Sequence, residues 1–118
     1  MLQHFLREIL SEIMSHVESC FRKQLVRAVL FGSYARGDFD TDSDINIALL
    51  LDCTREDIRN YQDILASIAT DISLKHDQLV SFICIPYDEY VKWLPALSLY
   101  QSIEKEGIKL SSCLITSC

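Results

Sequence analysis

The fold is decided by Leu25-Val26-Arg27-Ala28-Val29-Leu30-Phe31-Gly32-Ser33-Tyr34-Ala35-Arg36-Gly37, followed after a short acidic spacer by Ser43-Asp44-Ile45-Asn46. Residues 25–31 are short, apolar and β-branched, which predicts a buried strand. The strand stops at Gly32-Ser33. Glycine lets the backbone come close to a ligand, and serine adds a hydroxyl donor. If Ser33 opens a short helix, the free N–H groups of its first turn point outward and favour an anion such as phosphate. Arg36, one turn on, adds a forked, charged donor. The polar segment from Gly37 to Ser43 reads as a surface loop. Asp44 to Leu51 then reads as a second strand, with Ile45, Ile47 and Leu49 on one face and Asp44, Asn46 and Ala48 on the other. A carboxylate pair at 44 and 46 would hold a magnesium ion against a triphosphate. This chain has Asp44 and Asn46 there.

Upstream, Leu2 to Phe21 carries apolar residues at intervals of three and four, which predicts an amphipathic helix. Downstream, Thr54 is a candidate N-cap, with Glu56 and Asp57 near the positive end of the helix that follows. Ile58, Tyr61, Leu65, Ile68 and Ile72 form a single-face stripe on that helix, which ends near Lys75-His76. Leu79 to Ile85 predicts a third strand, apolar on both faces apart from Ser81 and therefore central and covered on both sides. Pro86 cannot continue a central strand. Asp88 opens a short helix that Pro95 ends, Ala96 to Glu106 resumes a helix, and Gly107 stops it. Ile108 to Leu110 is a candidate last strand. The order α-β-β-α-β-α-α predicts an α/β (α+β) domain, a small mixed β-sheet with helices packed on it. Residues 1–110 form that single domain and 111–118 a C-terminal tail.

Composition narrows the function. At 118 residues the chain holds one core, not two. With 49% hydrophobic and 24% charged residues it is neither disordered nor, at 3 Gly and 2 Pro, linker-rich. No apolar run approaches the ~18 residues that span a bilayer. The N-terminus lacks a basic region followed by an apolar one, so the expected location is cytoplasmic. A net charge of −6 argues against an extended nucleic-acid surface but leaves room for one bound nucleotide. Cys20, Cys53, Cys84, Cys113 and Cys118 contain no C-x-x-C pair and read mostly as small core hydrophobes, with Cys113 and Cys118 in the polar tail. His4, His16 and His76 have no ligand-like spacing.

Gly32, Ser33, Ala35, Arg36, Gly37, Ser43 and Asp44 together resemble the signature of the DNA-polymerase-β-like nucleotidyltransferase superfamily, and in particular its smallest members, the minimal nucleotidyltransferases. The likeness runs from about Gln24 to Leu110 and includes the closing Ser102-Ile103-Glu104-Lys105-Glu106-Gly107. It implies the nucleotidyltransferase fold, with Gly32, Ser33 and Arg36 binding the phosphates of ATP or another nucleoside triphosphate. It also implies Mg2+ held by Asp44 and position 46, and transfer of AMP to a hydroxyl. Such proteins are commonly paired with a HEPN-domain partner in toxin–antitoxin modules. The departures are Asn46, where the family places a second carboxylate, and Ser81, where the next strand usually carries a third; Asp77 is the nearest substitute. An amide brings no charge to a dication, so the implied metal site is weak. The alternative is an impaired, antitoxin-like binding module that acts by contact with a partner.

Several residues carry plainer expectations. Asp38, Asp40 and Asp42 read as solvated, Arg36 has a structural alternative in pairing with Asp42 or Asp44, and Tyr34 has no assigned role. The stripe Tyr90, Trp93, Leu94, Leu97 and Tyr100 reads first as core. Around the proline-broken helix, part of Trp93, Leu97 and Tyr100 is expected to be covered by a second copy or a helical partner.

Overall fold

The structure is a computed structural model that describes residues 4–111. Helix α1, His4–Phe21, buries Leu6, Ile9, Leu10, Ile13, Met14, Val17 and Phe21, the predicted stripe, while Phe5 stays largely exposed. Leu2 lies outside the described residues. A single 3-10 turn, Arg22–Gln24, leads into β1, Leu25–Phe31. Then follow α2 (Ser33–Arg36), β2 (Ile45–Leu51), α3 (Arg55–His76), β3 (Val80–Pro86), α4 (Tyr87–Trp93), α5 (Ser98–Glu106) and β4 (Ile108–Leu110). Thr54 caps α3 as expected. Its hydroxyl accepts the Asp57 N–H at 3.1 Å, and the Asp57 carboxylate accepts the Thr54 N–H at 3.0 Å.

The four strands lie in the order β3-β2-β1-β4. β1 runs antiparallel to both β2 and β4, and β3 runs parallel to β2 across the α3 crossover. Alternation then divides the side chains between two faces. Ile45, Ile47, Leu49 and Leu51 of β2 join the core beneath α1 and α3. Ala48 and Leu50 join Val29, Ile85, Tyr90, Tyr100 and Ile103 beneath α4 and α5. Each fully buried Leu or Ile contributes about 1.5–3 kcal/mol by leaving water. Among the described residues no helix is long and apolar enough to cross a membrane.

Three expectations are corrected. β3 is not central but an edge strand, because β4 returns to pair with β1 and leaves β3 outermost. Only part of β3 is covered: Val80, Cys84, Ile85 and Pro86 are buried, Ser81 is exposed and Phe82 and Ile83 lie between. An uncharged apolar run looks the same whether its neighbour is a strand or a helix, so local sequence does not rank strands across a sheet. Pro86 fits here because it closes an edge strand. Second, regular pairing begins at Ile45 rather than Asp44. Third, α5 starts at Ser98 rather than Ala96. Gly107 ends α5 as expected, with an extended backbone at φ −69°. It is glycine because a Cβ would run into Val29 Cγ1 and the Ile103 carbonyl oxygen, so it lets α5 close down on β1.

The apolar stripe of the C-terminal half divides. Tyr90 and Tyr100 are core, and Leu94 packs against them. Trp93 and Leu97 remain 47% and 41% exposed. Of the cysteines, Cys84 is buried, Cys53 half-buried and Cys20 exposed, so Cys20 departs from the core expectation. Cys113, Cys118 and nearly all of the predicted tail lie outside the described residues.

Candidate functional site

The site is built where β1 ends and β2 begins. Gly32 holds φ +82° and ψ −156°, a region that only glycine enters without strain. That conformation turns the chain sharply into α2, a single turn in which the Gly32 carbonyl accepts the N–H groups of Ala35 and Arg36, each at 3.1 Å. The first N–H groups of a helix lack intrahelical partners, and here they belong to Ser33 and Tyr34. Gly37, left-handed at φ +86°, closes the turn by donating to the Ser33 carbonyl at 2.9 Å.

Register brings the other residues alongside. Asn46 sits between Phe31 of β1 and Ser81 of β3. A Cβ added at Gly32 would stand 2.9 Å from Asn46 Nδ2, so the glycine turn and the Asn46 side chain lie in direct contact. Asn46 points to the sheet face that α4 and α5 cover only at its far end, under Leu50 and Ile85. Near Asn46 that face is more open: Ser81 is exposed, Phe31 and Ile83 partly so. Asp44 precedes β2 and is half-buried. The structure therefore brings Gly32 and Asn46 together at one end of one open face, with Ser33 following Gly32 and Asp44 two residues before Asn46 in the chain. Asp77 is placed differently. It is the exposed, left-handed C-cap of α3, the helix that packs on the opposite face. Among the described residues, no group of three or more His, Cys, Asp or Glu is placed to hold a metal ion.

Arg36 is exposed at the end of α2. Its Nε lies 3.2 Å from Asp38 Oδ2 and 3.8 Å from Glu106 Oε2, so its partners are neither Asp42 nor Asp44. Exposed ion pairs of this kind are worth little and exchange readily for a better anion. The acidic spacer is exposed, as expected, but it is organised. The Asp40 carboxylate accepts the Asp42 N–H at 2.9 Å and the Ser43 hydroxyl at 3.3 Å, while Ser43 Oγ accepts the Asp40 N–H at 2.9 Å. Asp40 thus shapes the turn that delivers Asp44, as Asx side chains do in turns.

Sequence reasoning missed Tyr34 and Gln78. Tyr34 is buried, stacks on Phe39 with ring centroids 4.4 Å apart, and donates its hydroxyl to Gln78 Oε1 at 3.1 Å. Burial, with the nearby Asp40 and Asp44 carboxylates, pushes the Tyr34 phenol above its ordinary range, so at neutral pH it stays a donor. An aromatic residue inside a one-turn helix gives no periodic signal, and Gln78 stands alone between α3 and β3. Their cue was only that Phe39 is a large apolar residue within a polar loop. Phe5, Tyr34, Phe39, Asp40, Thr41 and Gln78 line a cavity of about 370 Å³ behind this turn.

The residues here that could hold a magnesium ion are one carboxylate, Asp44, and one amide, Asn46, two positions apart in the chain. Magnesium is usually held by one or two carboxylates together with substrate phosphates and water, so this set does not amount to a free-standing protein cage.

Residues 15–89 match the model of a family described as polymerase β, nucleotidyltransferase. A protein of Methanocaldococcus jannaschii provisionally named a protein adenylyltransferase is 33% identical over 103 residues, which is 87% of this chain and 96% of that protein. A second protein of the same organism, with the same provisional name, is 26% identical over 101 residues, covering 83% of this chain and 90% of its own length. A crystal structure described as a toxin–antitoxin with AMP-PNP shares the fold at a TM-score of 0.58 and 24% identity, over 86% of this chain and 72% of that one. A double aspartate-to-glutamate mutant of the toxin–antitoxin MntA-HpeT shares it at a TM-score of 0.58 and 22% identity, over 90% of this chain and 79% of that one.

Proposed function

We propose, from the premise that this chain belongs to the polymerase β nucleotidyltransferase family, that it binds ATP with magnesium and transfers AMP to a hydroxyl group on a protein. The observation that supports this is the contact between the Gly32 turn and Asn46, two residues after Asp44. In this reading the Ser33 hydroxyl and the N–H groups at the start of α2 hold the β- and γ-phosphates. Arg36 leaves Asp38 and Glu106 to balance their charge. Asp44, helped by the Asn46 amide oxygen, would hold magnesium, which when bound neutralises the charge that develops on the phosphates. The acceptor hydroxyl attacks the α-phosphorus, the bond to the bridging oxygen breaks, and pyrophosphate leaves. The protein's share is positioning and charge balance, with no covalent intermediate required.

The provisional names of the relatives support a protein acceptor, and the toxin–antitoxin neighbours support a partner chain. A HEPN-type helical protein is the partner this reading favours. Val91, Trp93, Leu97 and Leu99, all exposed, provide an apolar surface for it on α4, α5 and the turn between them.

A second reading has its own observation. Ser81 stands directly beside Asn46, so two uncharged side chains occupy the positions where the family signature places carboxylates. On that reading the chain acts by contact and its chemistry has lapsed. Calorimetry with ATP, in the presence and absence of magnesium, and label transfer from α-labelled ATP to the partner separate the two. Magnesium-dependent binding and labelling support the transferase. Partner binding without nucleotide affinity overturns it in favour of the contact module.

A further inference from the structure

We propose that Gln78 is a positioning residue that sets the spacing between the phosphate turn and Asp44, so that metal-bound nucleotide depends on it more than nucleotide alone. Its side-chain amide uses both ends. Oε1 accepts the Tyr34 hydroxyl at 3.1 Å, and Nε2 donates to the Ser43 carbonyl at 2.8 Å. Tyr34 belongs to α2, the turn that follows Gly32, and Ser43 is the residue immediately before Asp44. On the other side of Asp44, the Ile45 N–H donates to the Leu79 carbonyl at 2.9 Å. Consecutive residues Gln78 and Leu79 therefore hold the peptide groups on both sides of Asp44. The same Gln78 side chain reaches across to the helix that begins the phosphate turn.

Each link is local and directional. The Tyr34 ring is fixed by its stack on Phe39, so its hydroxyl has little freedom to find another acceptor. Ser43 is further fixed by its N–H bond to the Asp40 carbonyl at 3.2 Å. Gln78 is half-buried, where an amide that loses a partner is not fully repaid by water. Asp44 is the one carboxylate of the ion-holding pair, so a small rotation of its backbone is not compensated by a second charge. The phosphate contacts come from α2 itself and survive such a rotation. The proposal rests on the nucleotide reading above for its ligand, but the brace has a signature of its own in the exchange of the 40–45 amides.

The test compares the parent with Gln78→Leu, Gln78→Glu and Tyr34→Phe, using calorimetry with MgATP, calorimetry with ATP in excess chelator, and amide hydrogen exchange. Gln78→Leu removes both links, Gln78→Glu keeps the acceptor for Tyr34 but loses the donor to Ser43, and Tyr34→Phe removes one link only. The expected result is a loss of about tenfold in MgATP affinity for Gln78→Leu and Gln78→Glu, the scale of a lost partly buried hydrogen bond, with metal-free ATP changed by less than about threefold. Tyr34→Phe follows in the same direction by a few-fold, and exchange at Asp42, Ser43 and Ile45 accelerates in all three. A general loss of packing would weaken both nucleotide forms alike, and that outcome overturns the positioning role. Should Gln78→Leu fail to fold, Gln78→Glu and Tyr34→Phe carry the same comparison. If the parent itself binds no MgATP, the nucleotide reading fails, and the brace is then judged by exchange alone: unchanged exchange in the variants overturns it.

Discussion

Replacing Asn46 with aspartate returns the carboxylate that the family signature places two residues after Asp44, and its cost follows from strand geometry. Two residues of extended chain separate positions 44 and 46 by roughly 6.6 Å. Two unit charges at that distance repel by about 0.6 kcal/mol in water and about 2.5 kcal/mol at an effective dielectric of ~20. Asp44 and Asn46 are both half-buried beside an open face, which favours a value near 1 kcal/mol. Asn46→Asp without metal is therefore expected to be about 1 kcal/mol less stable than the parent in urea unfolding. Magnesium should reverse this. A second carboxylate facing the same ion is expected to tighten magnesium about tenfold or more, and an ion present at ten times its dissociation constant stabilises the folded state by ~1.4 kcal/mol. The crossing of the two stability curves as magnesium is added is the signature, measured by urea midpoints together with magnesium titration calorimetry. If metal affinity is unchanged, residue 46 does not face the ion, and the placement of the site on this sheet face is wrong. If metal affinity rises while label transfer stays absent, the defect lies with Ser81 on the neighbouring strand, and the contact-acting reading takes over.

Gly32→Ala should destabilise the protein by about 1–3 kcal/mol in chemical denaturation, because φ +82° with ψ −156° is strained for alanine and the new Cβ would press on Asn46 Nδ2; a neutral result would mean the turn is not held in this conformation. Ser33→Ala and Arg36→Ala are each expected to weaken triphosphate binding by about 1–3 kcal/mol in calorimetry, and unchanged affinity in both would remove the phosphate role from this turn. Burial, with Cys53 nearby, pushes the Cys84 thiol up to about 12 from an ordinary 9.0. The folded state thus keeps a proton that the unfolded chain releases first, so stability holds below pH 9 and falls as pH rises toward about 12. Urea midpoints measured across that range should fall less steeply in Cys84→Ala. Trp93, the single tryptophan, is 47% exposed and should be quenched by iodide in the free protein and protected when a helical partner is added; quenching that does not change on complex formation would move the interface elsewhere.

Much of the architecture was legible because it is written in local periodicity. The three-and-four spacing of Leu6 to Phe21 and of Ile58 to Ile72 states which helix faces are buried. Alternation from Ile45 onward states that Ile45, Ile47 and Leu49 share one face of β2, and Thr54 with Asp57 marks where α3 begins. The turn between β1 and β2 was legible for a different reason: Gly32 and Gly37 stand at the two positions of positive φ that bracket α2. The acidic spacer was only half legible. Its exposure follows from composition, but the Asp40–Ser43 bonds depend on how the loop closes.

The sequence by itself therefore determined the elements, the buried faces of the two long helices and the glycine-bracketed turn, since each depends on neighbours a few positions away. The tertiary structure alone decided which of those residues meet. It placed β3 at the edge, set Ser81 beside Asn46, left Asp77 on the helix of the other face, and brought Gln78 between Tyr34 and Ser43. Those outcomes follow from strand order and from the length of the α3 crossover. Such long-range pairings are selected by burial summed over the whole sheet, and no single stretch of chain records them.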